Sequence, residues 1–352
     1  MSAAPRISIL GATGLVGREL LTLIDRAWPG AILTLYASRD QTMTHEGRTL
    51  EVLAAERLEH ADATRGELAF VALDDEYSAR YCPRLVALGH RVIDKSNTYR
   101  GDPEVPLVVA GVNHRRIGDA TMLVANPNCT TIPLALTLEP LAQRFGLGEI
   151  TVSTYQAISG AGVGPLDTFI AASATAFPRM QGAGERIGSS LDPSAYVANT
   201  VPHNGKTDES GFSAEERKLV FESTKILERE LAISAQCCRV PVMVGHYENV
   251  WLELEQPASE RELAELLAAT RFVKFVPGSS GEGLTALATV HARDLALVGR
   301  LRPDGRERGA TRERAHRWCL TVAGDNLRLG AATNAVRAAS RWFAVADADL
   351  GV

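Results

Sequence analysis

The chain has 352 residues, 45% of them hydrophobic and 22% charged, with a formal net charge of −5. That length favours two cores over one, and the near-neutral balance provides neither the basic surface of a nucleic-acid binder nor an attraction to membranes. The five cysteines, Cys82, Cys129, Cys237, Cys238 and Cys319, are odd in number and lack paired metal-ligand spacing. No disulfide framework, no metal site and a reducing cytoplasm are therefore expected, and no apolar run has the length of a signal h-region or a membrane span.

Arg6–Leu10 reads as a short strand ending in Gly11-Ala-Thr-Gly-Leu-Val-Gly17, with helical periodicity following over 18–25. In that order, strand, glycine turn and helix N-terminus present backbone N–H groups and a helix dipole to a pyrophosphate. The spacing is G-x-x-G-x-x-G and not the common G-x-G-x-x-G, so the setting directly after the first strand carries the reading. A second strand over 31–36 runs into Ala37-Ser38-Arg39. An acid there would grip the ribose hydroxyl of NAD, whereas Ser38 and Arg39 suit the 2′-phosphate of NADP. Strands over 68–73 and 91–94 flank a helix over 77–88, an alternation that predicts a doubly wound, mostly parallel sheet. The loop 94–100 leaves a strand end, where Arg100 is a candidate anion ligand.

Residues 124–141 set Cys129 between the turn formers Asn126-Pro127-Asn128 and an apolar helix, with Thr130 and Thr131 as capping hydroxyls and Pro133 in the first turn. A helix N-terminus favours thiolate over thiol, although a lone cysteine also serves as a small buried hydrophobe. A strand over 149–156 and a glycine turn over 157–164 begin a second domain, and 180–204, rich in Gly, Ser and Pro, reads as irregular. A capping box from Ser213 to Glu216 opens a helix with Glu215 and Lys218 on one face. Residues 238–246 read as a strand with Arg239 near one end and His246 at the other. Seven positions apart, the two fall on opposite faces, so a bulge or a turn at Gly245 must intervene if both meet one site. Alternation continues through Glu255, followed by a helix over 259–270, strands near 286–291 and 316–322, and a small-residue helix over 324–339.

Six stretches in register carry a family likeness: Gly11-Ala-Thr-Gly-Leu-Val-Gly17, Asn126-Pro-Asn-Cys-Thr-Thr131, Ser153-Thr-Tyr-Gln-Ala-Ile-Ser-Gly-Ala-Gly162, Glu215-Glu-Arg-Lys218, Arg239-Val-Pro-Val-Met-Val-Gly-His246 and Asp325-Asn-Leu-Arg328. With them the chain resembles the aspartate-semialdehyde dehydrogenases of the bacterial type. The resemblance implies an α/β fold, with an N-terminal Rossmann-like dinucleotide-binding domain over 1–127 and a second α+β catalytic and dimerisation domain over 128–323. The C-terminal helix, 324–345, would pack back onto the first. It implies reversible NADPH-dependent reduction of L-aspartyl 4-phosphate to L-aspartate 4-semialdehyde, a step toward lysine, methionine and threonine, in a cytoplasmic homodimer or homotetramer. By the same resemblance Cys129 is the nucleophile, His246 the acid and base, and Gln156 the holder of the acyl group. Arg239 clamps the substrate α-carboxylate, Glu215 takes the α-ammonium, and Arg100 and Lys218 hold phosphate. Gly11, Thr13, Gly14, Leu15, Val16, Ser38, Arg39, Ser159, Gly160 and Asn326 line NADP.

Two stretches depart from the family pattern. Leu73-Asp-Asp-Glu76 replaces a Ser-Ala-Gly-Gly-like turn, and Asp94-Lys-Ser-Asn97 replaces Asp-Asn-Ser-Ser. Asp74 suits a helix cap, and the charge of Asp75 is expected to weaken NADP binding by repulsion. Two rival readings are a reductase of another acyl phosphate, such as N-acetyl-glutamyl phosphate, and a catalytically silent paralogue with a structural or interaction role. Glu215 beside Arg239 argues against the first, because an acetylated amine offers no ammonium to pair with.

Overall fold

The computed structural model describes all residues except 1–3, 61–65, 181–191, 193, 203–206, 279–280, 346–349 and 351–352. The chain divides into two compact units. One is Met1–Ala135 with Lys225–Glu228 and Leu327–Val352, the other Leu136–Thr224 with Arg229–Asn326.

In the first unit the elements are β1 (Arg6–Leu10), α1 (Leu15–Ala27), β2 (Ile32–Ala37), β3 (Gln41–His45), β4 (Arg48–Ala54), β5 (Leu68–Val71), α2 (Asp75–Ala87), β6 (Arg91–Asp94) and β7 (Leu123–Ala125). The sheet order is β3-β4-β2-β1-β5-β6-β7, parallel except where β3 meets β4. Both faces of this sheet are covered, which is why its central strands read as mostly apolar, and within β1 the polar Ser8 is buried with its Oγ 3.0 Å from His90 Nε2. Ile7, Ile9, Phe70, Ile93 and Val124 pack with Leu20, Leu21 and Ile24 of α1, while Leu10, Ala69, Val71 and Val92 pack with Tyr81, Cys82 and Leu85 of α2. Strand order reverses at β1, so the loops after β1, β5, β6 and β7 emerge at one edge beside the switch point, where such sheets take ligands. The β3–β4 hairpin has no forerunner in the sequence analysis. Its strands are mostly polar, and its turn at Glu46 and Gly47 has positive φ at both residues, 47° and 76°, as type I′ geometry demands.

The sequence boundary between the units falls within α3 (Thr131–Phe145). In the second unit come β8 (Glu149–Gln156), α4 (Val163–Met180), β9 (Val201–Pro202), α5 (Ala214–Leu227), β10 (Ala232–Arg239), β11 (His246–Ala258), α6 (Glu260–Ala269), β12 (Val273–Val276), β13 (Ala296–Pro303) and β14 (Ala315–Gly324). They form a mixed sheet in the order β12-β13-β14-β11-β8-β10-β9. β11 alternates buried His246, Glu248, Val250, Leu252 and Leu254 with half-exposed Tyr247, Asn249, Trp251 and Glu253. The expected capping box is present: Ser213 N donates to Glu216 Oε2 at 2.7 Å and Glu216 N to Ser213 Oγ at 3.3 Å.

Three expectations need correction. Residues 238–246 are not one strand, because β10 stops at Arg239 and β11 starts at His246, with a turn between them. Residues 287–291 form a short 3₁₀ turn whose start is capped by the Thr285 hydroxyl, 3.0 Å from Ala288 N, and the strand of this region is β13. The stretch 180–204 lies largely outside the described residues.

After Asn326 the chain re-enters the first unit as a π-helical turn, Arg328–Thr333, and α7 (Asn334–Ala339). Ala332, Ala335, Val336 and Ala339 join the core on the α1 side. Asn334 fixes this segment: its Nδ2 donates to Val108 O at 2.9 Å and Asn126 Oδ1 at 2.8 Å, and its Oδ1 accepts from Ala110 N at 2.9 Å. The first unit keeps the chain through Ala135 and regains it at Leu327, so Cys129 lies in the same unit as the glycine turn. Among the described residues no helix is long and apolar enough to cross a membrane.

Candidate active site

Cys129 occupies the first position of the helical ladder that becomes α3. Ile132 N bonds Asn128 O at 3.2 Å, and the Asn128 side chain accepts from Thr130 N and Thr130 Oγ1, both at 3.0 Å. Asn128, not a threonine, therefore caps the helix, and the Cys129 thiol donates to the same Asn128 oxygen at 3.4 Å. All five cysteines are free, and Cys129 is partly exposed. Burial pushes the Cys82, Cys238 and Cys319 thiols up and Cys237 up to about 12. Those four are held as thiols at neutral pH, which leaves Cys129 as the candidate nucleophile.

The glycine turn fits an anion. Gly11, at φ +82°, lies against Ala72 so closely that a Cβ would collide with the Ala72 carbonyl oxygen. Gly14 is the N-cap of α1 and supplies no side-chain cap, and the first turn of α1 holds no acid. Thr13, Gly14, Leu15 and Val16 are partly exposed, so the uncapped N–H groups can meet a pyrophosphate. Ser38 and Arg39 are exposed just past β2. Their neighbour Asp40 is engaged elsewhere, with Arg57 Nη2 and Ala54 N both donating to it at 2.6 Å.

The two departures from the family pattern touch each other. Asp74 caps α2, accepting from Tyr77 N at 3.2 Å. The Asp75 carboxylate accepts from Asn97 N at 2.7 Å and from Asn97 Nδ2 at 3.1 Å, and Asp75 O accepts from Thr98 Oγ1 at 2.9 Å. Asp75 thus clasps the loop that holds Lys95 and Arg100. Arg100 is buried and donates through Nη2 to Lys95 O at 2.7 Å. Among the described residues Asp25, His45 and Glu46 lie within metal-ligating reach of one another, but Arg48 already pairs with Asp25.

In the second unit, strand register gathers three expected residues, Gln156, Arg239 and His246, at one end of the sheet. Arg239 lies opposite Gln156 on the parallel β10–β8 ladder, and Tyr247 opposite Tyr155 on the antiparallel β11–β8 ladder, which sets His246 beside Gln156. The break between β10 and β11 removes the parity conflict, because Arg239 and His246 belong to strands on either side of β8. Ala157, next in line, serves both: its N–H donates to His246 Nδ1 at 3.0 Å and its carbonyl accepts from Arg239 Nη1 at 2.7 Å. A nitrogen that accepts from a main-chain N–H carries no proton, so the neutral imidazole has its hydrogen on Nε2. Gln156 Nε2 donates to Glu215 Oε1 at 3.2 Å, and Lys218 Nζ lies 3.0 Å from Glu215 Oε2. Asn326 accepts from Gly245 N at 2.9 Å and donates to Ser159 Oγ at 2.9 Å, bracketing the turns beside His246 and Gly160. A Cβ on Gly160 would lie 2.9 Å from Arg239 Nη1 and 3.2 Å from His246 Nε2. Behind this row, buried Glu248 has no hydrogen-bond partner among the described residues for either carboxyl oxygen, and burial pushes its pKa well above the usual range.

A family model described as semialdehyde dehydrogenase, NAD binding domain, matches residues 6–120, and one described as semialdehyde dehydrogenase, dimerisation domain, matches 138–329. The chain is 36% identical over 359 residues to the aspartate-semialdehyde dehydrogenase of Mycolicibacterium smegmatis, covering 95% of this chain and 97% of that one. The chain belongs to the aspartate-semialdehyde dehydrogenase family. The Aquifex aeolicus member is 33% identical, over 95% of this chain and 96% of its own. The crystal structure of aspartate semialdehyde dehydrogenase II complexed with ASA, from Vibrio cholerae, superposes with a TM-score of 0.85 at 30% identity, over 97% of this chain and 100% of that one. These aspartate-semialdehyde dehydrogenases favour neither the N-acetyl-glutamyl phosphate reading nor the silent-paralogue reading.

Within this family frame the structure adds a residue that sequence reading passed over. A Cβ on Gly330, in the π-helical turn, would lie 2.7 Å from Cys129 Cβ and 3.0 Å from both Cys129 Cα and O. None of these atoms is the end of a flexible side chain, so any larger residue must displace the backbone that carries the thiol. The only sequence signal was the small-residue run of 324–339. Gly330→Ala is expected to cost about 1–3 kcal/mol of stability by overpacking and, through misplacement of Cys129, about 100-fold in kcat. Denaturant midpoints and steady-state kinetics on the same preparation check both.

Proposed function

We propose that the chain carries out the reversible, phosphorylating oxidation of L-aspartate 4-semialdehyde with NADP, through a thioester on Cys129. In the reductive direction the Cys129 thiolate attacks the acyl carbon of L-aspartyl 4-phosphate, the C–O bond to phosphate breaks, and inorganic phosphate leaves. A bound nicotinamide nucleotide supplies the hydride that reduces the thioester. The Nε2–H of His246 hydrogen-bonds the developing alkoxide and stabilises its charge, and collapse of that tetrahedral adduct releases the aldehyde and returns the thiolate. The observation that carries this reading is the Ala157 bracket, which fixes His246 as an Nε2–H donor and anchors Arg239 beside it.

Arg239 is assigned the substrate α-carboxylate, since a guanidinium forms a two-point clamp. Glu215, held between Gln156 and Lys218, is assigned the α-ammonium, and Gln156 the acyl oxygen. Arg100 and Lys218 take phosphate. The uncapped first turn of α1, with Gly11, Thr13, Gly14, Leu15 and Val16, is assigned the pyrophosphate. Ser38 and Arg39 take the 2′-phosphate of NADP, and Ser159, Gly160 and Asn326 its nicotinamide end. The dinucleotide domain would then be 1–127 with the C-terminal helix, and 128–323 the catalytic and dimerisation domain. We assign a cytoplasmic homodimer or homotetramer, with the partner on the sheet face that carries half-exposed Tyr247 and Trp251.

Cys129→Ala should abolish phosphate-dependent NADPH formation from aspartate semialdehyde while leaving NADP binding intact, and substantial residual turnover would overturn the mechanism. Arg239→Lys should raise KM for the semialdehyde about 10- to 100-fold, the loss expected for one charged hydrogen bond. The wild type should prefer NADP to NAD, and Arg39→Ala should narrow the gap by weakening NADP alone. Equal use of both nucleotides by the wild type would remove Arg39 from the site.

A further inference from the structure

The proposed mechanism needs a thiolate on Cys129, yet His246 presents a hydrogen and not a lone pair at Nε2, because Ala157 N–H occupies Nδ1. The thiol proton must therefore be lost for another reason, and the first unit contains one.

Lys95 follows β6 directly and stays in the ladder, with its N–H donating to Val71 O at 3.0 Å. Alternation therefore extends to it. Ile93 lies in the core shared with α1 and α7, Asp94 turns to the α2 side toward Cys82, and Lys95 returns to the α1 and α7 side. Cys129 is reached from the same face, since Gly330 of the turn before α7 packs on its Cα and Cβ. The strands bring the two close: Asp94 pairs with Ala125, and Asn126 N bonds Asp94 O at 2.7 Å, three residues before the cysteine.

We propose that the Lys95 ammonium is a positioning residue that supplies the positive charge holding Cys129 as a thiolate before substrate arrives. The charged groups around it are few. Burial lowers the Lys95 pKa, the Cys129 charge raises it, Arg100 lowers it and Asp94 raises it. Arg328, on the segment packed over this face, is already paired with Glu19 at 3.4 Å. Arg100 is tied to Lys95 through the backbone carbonyl, so Lys95 also fixes the place of a second cation. The Asp75 clasp on Asn97 holds the loop that carries both.

This inference rests on Cys129 being the nucleophile, and its test reads the thiol without turnover. Alkylation of Cys129 by iodoacetamide, resolved from the other cysteines by peptide mass spectrometry, is followed against pH on the full chain without substrate. Lys95→Met should slow alkylation about 10-fold at pH 7 and move the half-maximal rate about one pH unit toward alkaline. Lys95→Gln should do the same, and Lys95→Arg should restore the wild-type curve. A neutral variant whose curve superimposes on the wild type, or is lowered equally at every pH, would overturn the proposal. A wild-type Cys129 that resists alkylation at every pH would instead overturn its assignment as nucleophile, and this inference with it. Gln at 95 keeps the stem and a polar end, so the comparison survives should the Met variant fail to fold.

Discussion

Hydrogen-bonded register among three strands decides which side chains can cooperate in the second unit. β8 and β10 run parallel and end level, at Gln156 and Arg239, while β11 starts beside them at His246. A shift of one residue on any of these strands would turn its functional side chain to the opposite face of the sheet. The ladder is specified mainly by the apolar side chains below it, such as Val152, Val250 and Leu252, which are nearly fully buried. The cost of moving those residues into water is what keeps the polar row at the edge in place. Thr154, Cys237 and Glu248 form the next row down. Glu248 is buried there, and burial pushes its carboxyl well above the usual range.

The first unit uses a different device for the same end. Parallel strands release their loops at one edge, and each loop is then pinned by a short polar contact: Asn128 caps the turn at Cys129, Asn334 ties Asn126 and Val108, and Asp75 grips Asn97. These are local bonds between small polar groups, so a loop can change its residues if the contact is replaced. Leu73–Glu76 and Asp94–Asn97 show this, since the acid that looks out of place in one loop is satisfied by the asparagine in the other. Asp75 reads in the sequence as a bare charge facing the cofactor because its partner Asn97 lies 22 residues on and the pairing exists only in three dimensions.

The first sheet was legible where burial imposes a pattern. The apolar run of β5, the mostly apolar β1 and β6 and the glycine turn could be read directly, as could both the α2 cap at Asp74 and the Ser213 capping box. What escaped was set by tertiary contacts. The β3–β4 hairpin hides behind Thr, Glu and His. The run 286–291 looks like a strand until Leu287 and Val290 are found exposed. Arg239 and His246 read as one strand because the turn between them, Val-Pro-Val-Met-Val-Gly, is mostly apolar. The motif residues could be named by likeness, but the proton on His246, the closeness of Gly330 to Cys129 and the side to which Lys95 turns depend on backbone geometry that no spacing rule encodes.

Ala157 has a consequence for how this enzyme can drift. It orients both a histidine and an arginine, but through its N–H and C=O, which every residue other than proline supplies. Its methyl group contributes only packing. Ala157 is itself fully buried, so a larger side chain at 157 would have to displace its neighbours and, with them, the N–H and C=O that hold the tautomer and the guanidinium. Essential geometry is thus stored in the main chain of a residue that has no functional group of its own.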